Sequence, residues 1–123
     1  MDLALQHVIV ESDDDLEIWA SIVIGFDEDR NLVVRMKYVD YDFPEHNCLR
    51  DAVVAPDEAY RLAKQFRLPL VDLPRRLAEL FGEDSGLQGP VFVGKLFSRI
   101  VGYFNDCGVR CDVLERKSGK TGA

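Results

Sequence analysis

The sequence predicts an α+β fold. The expected form is an antiparallel sheet of three to four strands, opened by an N-terminal β-meander. Three helices pack on it and a final strand closes the chain, in the order β-β-β-α-α-α-β. Three observations predict this. Residues 16–26 and 32–43 alternate apolar and polar side chains with period two. Residues 90–107 repeat apolar side chains at spacings of three and four. Strand-type segments come first and helix-type segments follow, the order expected when helices gather on one face of an antiparallel sheet.

Each element has a local cause. Leu3–Val10 reads as a first strand, joined to the second through the acidic turn Ser12-Asp13-Asp14-Asp15. In LEIWASIVIGF, residues 16–26, Leu16, Ile18, Ala20, Ile22, Ile24 and Phe26 share one face. Glu17, Trp19, Ser21, Val23 and Gly25 share the other. The β-branched content suits a pleated, half-buried surface. DEDRN, 27–31, is a polar turn, and LVVRMKYVDYDF, 32–43, alternates again, so the pair reads as a hairpin. Pro44 ends it, and EHNCLRDAVV, 45–54, reads as a connection with room for a short added strand at Asp51–Ala55.

Pro56-Asp57-Glu58 opens a helix, because proline and acids suit the unsatisfied N–H groups of a first turn. Its buried stripe is Ala59, Leu62, Ala63 and Phe66, and Pro69 breaks it. A second short helix spans Leu73–Phe81, with Asp72 as N-cap and Pro74 in the first turn. The third, from Pro90 to about Cys107, buries Val93, Leu96, Phe97, Ile100, Val101, Phe104 and Cys107 and stops at Gly108. Its other side carries Gly94, Ser98 and Gly102, a small-residue stripe that permits close approach of a neighbour or is merely tolerated. VRCDVLE, 109–115, reads as the last strand. The expected organisation is one domain, residues 1–115, with a flexible basic tail at 116–123.

Composition narrows the function classes. Apolar residues at 47% and charged residues at 30% describe a globular chain rather than a disordered one. Apolar runs reach four to six residues, far short of the ~20 that span a bilayer, so no membrane role is expected. The N-terminus has no basic region ahead of its apolar part, so no secretory leader is expected and a cytoplasmic, bacterial-type protein is the default. Three cysteines, Cys48, Cys107 and Cys111, make an odd set that reads as reduced thiols. The net charge of −7 is uneven: residues 1–58 hold 4 basic and 15 acidic side chains, residues 59–123 hold 11 and 7. Such polarity suits a protein partner of either sign or a second copy of the chain.

Four candidate sites follow. The segment 61–80, RLAKQFRLPLVDLPRRLAEL, resembles a helix-turn-helix and carries Arg61, Lys64, Arg67, Arg75 and Arg76, the charge that phosphate contacts need. Arg67 stands where the turn between such helices calls for a glycine, and Leu73 and Pro74 occupy the first turn, where polar base readers belong. Asp40, Asp42, Glu45 and His46, in DYDFPEH, supply oxygen and nitrogen donors for a divalent metal and so for a metal-dependent hydrolase. His46, Cys48, Cys107 and Cys111 are all zinc-ligand types, but their spacing is wrong for a zinc motif, and the last two read as small core residues. SGKT, 118–121, matches the end of a phosphate loop but lacks the earlier glycine, whose place Leu114 holds, and the helix that should follow.

A fifth candidate is a surface. Trp19, with Val33, Val39, Tyr41 and Phe43, forms an apolar and aromatic patch on the sheet side that the helices leave open. The leading expectation is therefore a small non-enzymatic protein–protein interaction module or homodimer, without a cofactor. Trp19, Tyr41 and Phe43 form its partner-binding patch, and Arg61, Arg75 and Arg76 form a basic counter-surface. The alternatives are a nucleic-acid-binding regulator working through 61–80 and the metal-dependent hydrolase around Asp40–His46.

Overall fold

A computed structural model describes residues 3–11, 18–40, 47–82 and 90–116. Among them the chain forms β1 (Ala4–Glu11), β2 (Ile18–Phe26), β3 (Leu32–Asp40), β4 (Cys48–Val54), α1 (Pro56–Phe66), α2 (Leu73–Gly82), α3 (Pro90–Asp106) and β5 (Asp112–Arg116). The five strands make one antiparallel sheet in the order β1-β2-β3-β4-β5. The α+β class stands as predicted. The sheet has one strand more than the three to four expected: the connection read with room for a short strand at Asp51–Ala55 holds the seven-residue β4, which begins at Cys48 and is in register with β3 from Leu32↔Val54 to Tyr38↔Cys48.

Alternation decides which face is covered. Ala20, Ile22, Ile24 and Phe26 of β2, Leu32, Val34 and Met36 of β3, and Ala52 and Val54 of β4 enter the core. The helices meet them with Ala59, Leu62 and Ala63 of α1, Leu73, Leu77 and Phe81 of α2, and Val93, Leu96, Phe97, Ile100 and Phe104 of α3. All these helix side chains join a single core, so the three helices lie on one face. Each fully buried Leu, Ile or Phe stabilises the fold by roughly 1.5–3 kcal/mol.

Turn chemistry fits the backbone. Asp27 Oδ1 accepts the N–H groups of Asp29 and Asn31, both at 2.9 Å, and pins the β2–β3 hairpin. Helix α3 ends in a Schellman motif: the Val109 N–H donates to the Phe104 carbonyl at 2.9 Å and Gly108 holds φ +76°. Helix α1 ends the same way, with Leu68 N–H donating to the Ala63 carbonyl at 3.0 Å. Its left-handed position is held by Arg67 at φ +59°, so the missing glycine does not prevent the turn. A 3-10 turn, Leu70–Asp72, then runs directly into α2. Asp72 is thus part of that turn, with helical geometry beginning at Leu70, where the sequence predicts an N-cap at Asp72.

The strand β1 departs from regularity twice, between Ala4 and His7 and between Val8 and Val10. At the first irregularity Leu5 adopts φ +53°. The kink lays the chain over Gly25, where a Cβ would come within 2.8 Å of both the Ala4 carbonyl oxygen and Leu3 Cβ. Gly25 points away from the helices, so Leu3 is buried on the opposite face of the sheet, beside the Gly25↔Val33 pair. In α3, by contrast, a Cβ at Gly94 or Gly102 meets nothing within 4 Å, so the small-residue stripe admits no close neighbour there.

Candidate interaction surface

The helix-free face is built from residues that alternate with the core set. One row across it runs Val8, Val23, Arg35, Asp51 and Leu114; a second runs Gly25, Val33, Val53 and Asp112. At its centre Arg35 grips Asp51 with two parallel bonds, Nε to Oδ1 at 2.8 Å and Nη2 to Oδ2 at 3.0 Å. Their side chains are only 22% and 12% exposed, so this bidentate pair is shielded and directional in a way that surface pairs are not. Val33, the β3 partner of Gly25, is buried, which corrects its place in the open patch. Val23, Val39, Leu49 and Val53 are half-buried. Four of the six exposed large apolar side chains among the described residues stand at the two sheet edges, Leu5 and Val8 on β1 and Val113 and Leu114 on β5, and the other two, Tyr60 and Val71, belong to the helical segments.

Trp19 pairs through its backbone with Val39, and its side chain lies outside the described residues, as do Tyr41 and Phe43. Asp42, Glu45, His46 and the SGKT segment also lie outside them. Asp40 is buried at the end of β3, and its N–H donates to Asn47 Oδ1 at 2.6 Å. Burial first, and the Asp40 and Cys48 charges second, push the Tyr38 hydroxyl pKa upward. Among the described residues no group of three or more His, Cys, Asp or Glu side chains is placed to hold a metal ion.

The cysteines are free thiols packed half-buried against the core. Burial, with a smaller contribution from Asp112, pushes the Cys111 thiol up to about 11, which suppresses the thiolate that nucleophilic chemistry needs. Between α2 and α3 lies an open groove of about 460 Å³ lined by Leu80, Phe81, Arg99, Gly102, Tyr103 and Asp106. Phe81 meets the Tyr103 ring edge-on at 5.3 Å, and burial raises the Tyr103 hydroxyl pKa.

The basic segment divides. Arg61, Lys64, Arg67, Arg75 and Arg76 are exposed. Arg61 donates to Glu58 at 2.7 Å, and the Arg76 guanidinium stands 6.0 Å from the Phe66 ring centroid. Leu73 and Pro74 are buried, so the first turn of α2 faces the core, where a reading helix would offer polar side chains to bases. Arg61 and Arg76 are thereby engaged on the helix side, away from the sheet face that carries the Arg35–Asp51 pair.

Sequence reasoning missed the Arg35–Asp51 fork and the exposed β5 edge. The fork had a signal, an Arg and an Asp at alternating positions of two strands, but it becomes visible only once β4 is recognised. Among the described residues no helix is long and apolar enough to cross a membrane. Compared with known proteins, the chain matches no family model, no curated protein and no solved structure.

Proposed function

We propose that the chain is a non-enzymatic protein–protein interaction module that works through its sheet, with self-association as its first use. The observation that carries this reading is the one-sided packing. Three helices cover one face, while Val8, Val113 and Leu114 are 46–56% exposed at the edges of a sheet whose other face holds a shielded ion pair. Exposed apolar side chains gathered at sheet edges suit contact with another polypeptide better than contact with water. Sedimentation across the micromolar range tests it: a concentration-dependent dimer is expected. A monomer throughout that also retains no protein partner through the sheet refutes it.

A second reading has one specific observation in its favour, the five exposed cations of α1, its C-terminal turn and α2. It calls for phosphate contacts without base readout. DNA binding that weakens with salt and falls on R75A/R76A supports it; binding indifferent to both rules it out.

A further inference from the structure

Both edges of the sheet are strands, but only one is fit to pair. On β1 the two register shifts and the left-handed Leu5 break the row of outward N–H and C=O groups, the usual means by which an edge is blunted. On β5 the register runs unbroken from Asp112 to Arg116 against β4, so its outer edge is straight for five residues. Val113 and Leu114, at its middle, are 46% and 53% exposed.

We infer that β5 is the dimer interface: it pairs antiparallel with β5 of a second copy of this chain about a two-fold axis at Leu114, making one continuous sheet through both molecules. The inference rests on the self-association proposed above and names the surface. A two-fold normal to the sheet keeps every side chain on its own face, so the axis passes through a residue opposite its own copy. The segment DVLER then selects the register. With Leu114 on the axis, Asp112 stands opposite the second copy's Arg116, twice by symmetry, and the two leucines meet on the helix-free face. With Val113 on the axis, Asp112 opposes Leu114; with Glu115 on the axis, Leu114 opposes Arg116. Of these three registers only Leu114 pairs opposite charges and apolar with apolar on the helix-free face, while on the other face it sets Val113 beside the second copy's Glu115. A closed isologous pair also uses up the one straight edge and leaves the blunted β1 edges outside, so assembly stops at two.

The Asp112 side chain is 70% exposed, so its replacement leaves the monomer intact. Sedimentation equilibrium on the full chain, with circular dichroism as a folding control, tests the register through D112R, R116D and D112R/R116D. Each single variant is expected to raise the dimer dissociation constant about tenfold or more, because two attractive pairs become repulsive. The double variant is expected to restore it to within about threefold of the original. L114K, which sets two lysines on the axis, is expected to give monomers and serves if a charge variant fails to fold. A dimer that ignores L114K and the single swaps overturns this register while leaving self-association standing. Loss without restoration in the double variant also overturns it. A wild-type chain that is monomeric throughout overturns both.

Discussion

Gly25→Ala tests the account of β1 most directly. The added methyl would stand 2.8 Å from the Ala4 carbonyl oxygen, 2.8 Å from Leu3 Cβ and 3.2 Å from Gln6 Cα. Carbon atoms in contact rest at about 3.5–4.0 Å, so the overlap with Leu3 is about 1 Å. Ala4 O and Gln6 Cα are backbone atoms, and neither can turn aside as a flexible side chain would. Two responses remain. The segment stays docked with strain of roughly 1–3 kcal/mol. Alternatively it lifts away and re-exposes Leu3, forfeiting roughly 1.5–3 kcal/mol of burial. Alanine recovers about 0.5–1 kcal/mol in a strand relative to glycine, so the net loss is about 1–2 kcal/mol. Urea unfolding measures it, with a lowered midpoint and an unchanged slope expected. Gly94→Ala and Gly102→Ala provide the internal control. Their Cβ atoms meet nothing within 4 Å, and each should gain about 0.8–1 kcal/mol from helix propensity alone. A Gly25→Ala variant as stable as these controls would show that Leu3 does not lie over Gly25.

Other outcomes follow from the same geometry. Leu5→Gly and Arg67→Gly relax exposed left-handed residues at φ +53° and +59°, and each should raise stability by about 0.5–1 kcal/mol in the same titration. Gly108→Ala imposes that strain at φ +76° and should cost about 1 kcal/mol. Arg35→Ala leaves the shielded Asp51 carboxylate without its fork and should cost about 1–3 kcal/mol, with Arg35→Lys recovering only part because an ammonium cannot donate in the bidentate plane. Cys111 carries a pH signature. Its thiol titrates at about 11 in the fold against an ordinary 9.0, so the folded state holds a proton that the unfolded chain has released. Its contribution is therefore level below pH 9 and declines as pH rises from about 9 towards 11, and Cys111→Ala should flatten that decline in midpoint against pH.

Most elements are legible in the sequence because their signals are local. The alternation of Ala20, Ile22, Ile24 and Phe26 names the buried face of β2, and the spacing from Val93 to Phe104 names that of α3. Pro56 and Gly108 mark helix ends for reasons of their own backbone chemistry. The strand β4 is legible only in part: the sequence offers a short strand at Asp51–Ala55, and the structure begins it at Cys48. Its seven residues place Arg50 and Asp51 mid-strand, where they pair with Glu115 and Arg35 on neighbouring strands. An ion pair between positions 16 or 65 residues apart has no trace in a local window. Arg67 shows the converse: its side chain argues against a left-handed turn, and the packing of α1 and α2 imposes one anyway.

Hydrophobic period and punctuation, which act over a few residues, by themselves determined an antiparallel sheet with helices on one side, the helix stripes and the polarity of charge along the chain. Tertiary structure alone decided the full length and pairing of β4, the order of strands, the turn of Leu3 over Gly25 and the contrast between a kinked β1 edge and a straight β5 edge. Those features depend on which backbone lies beside which. A strand's exposed edge is defined by the neighbour it lacks, and that is a property of the assembled sheet rather than of any one segment.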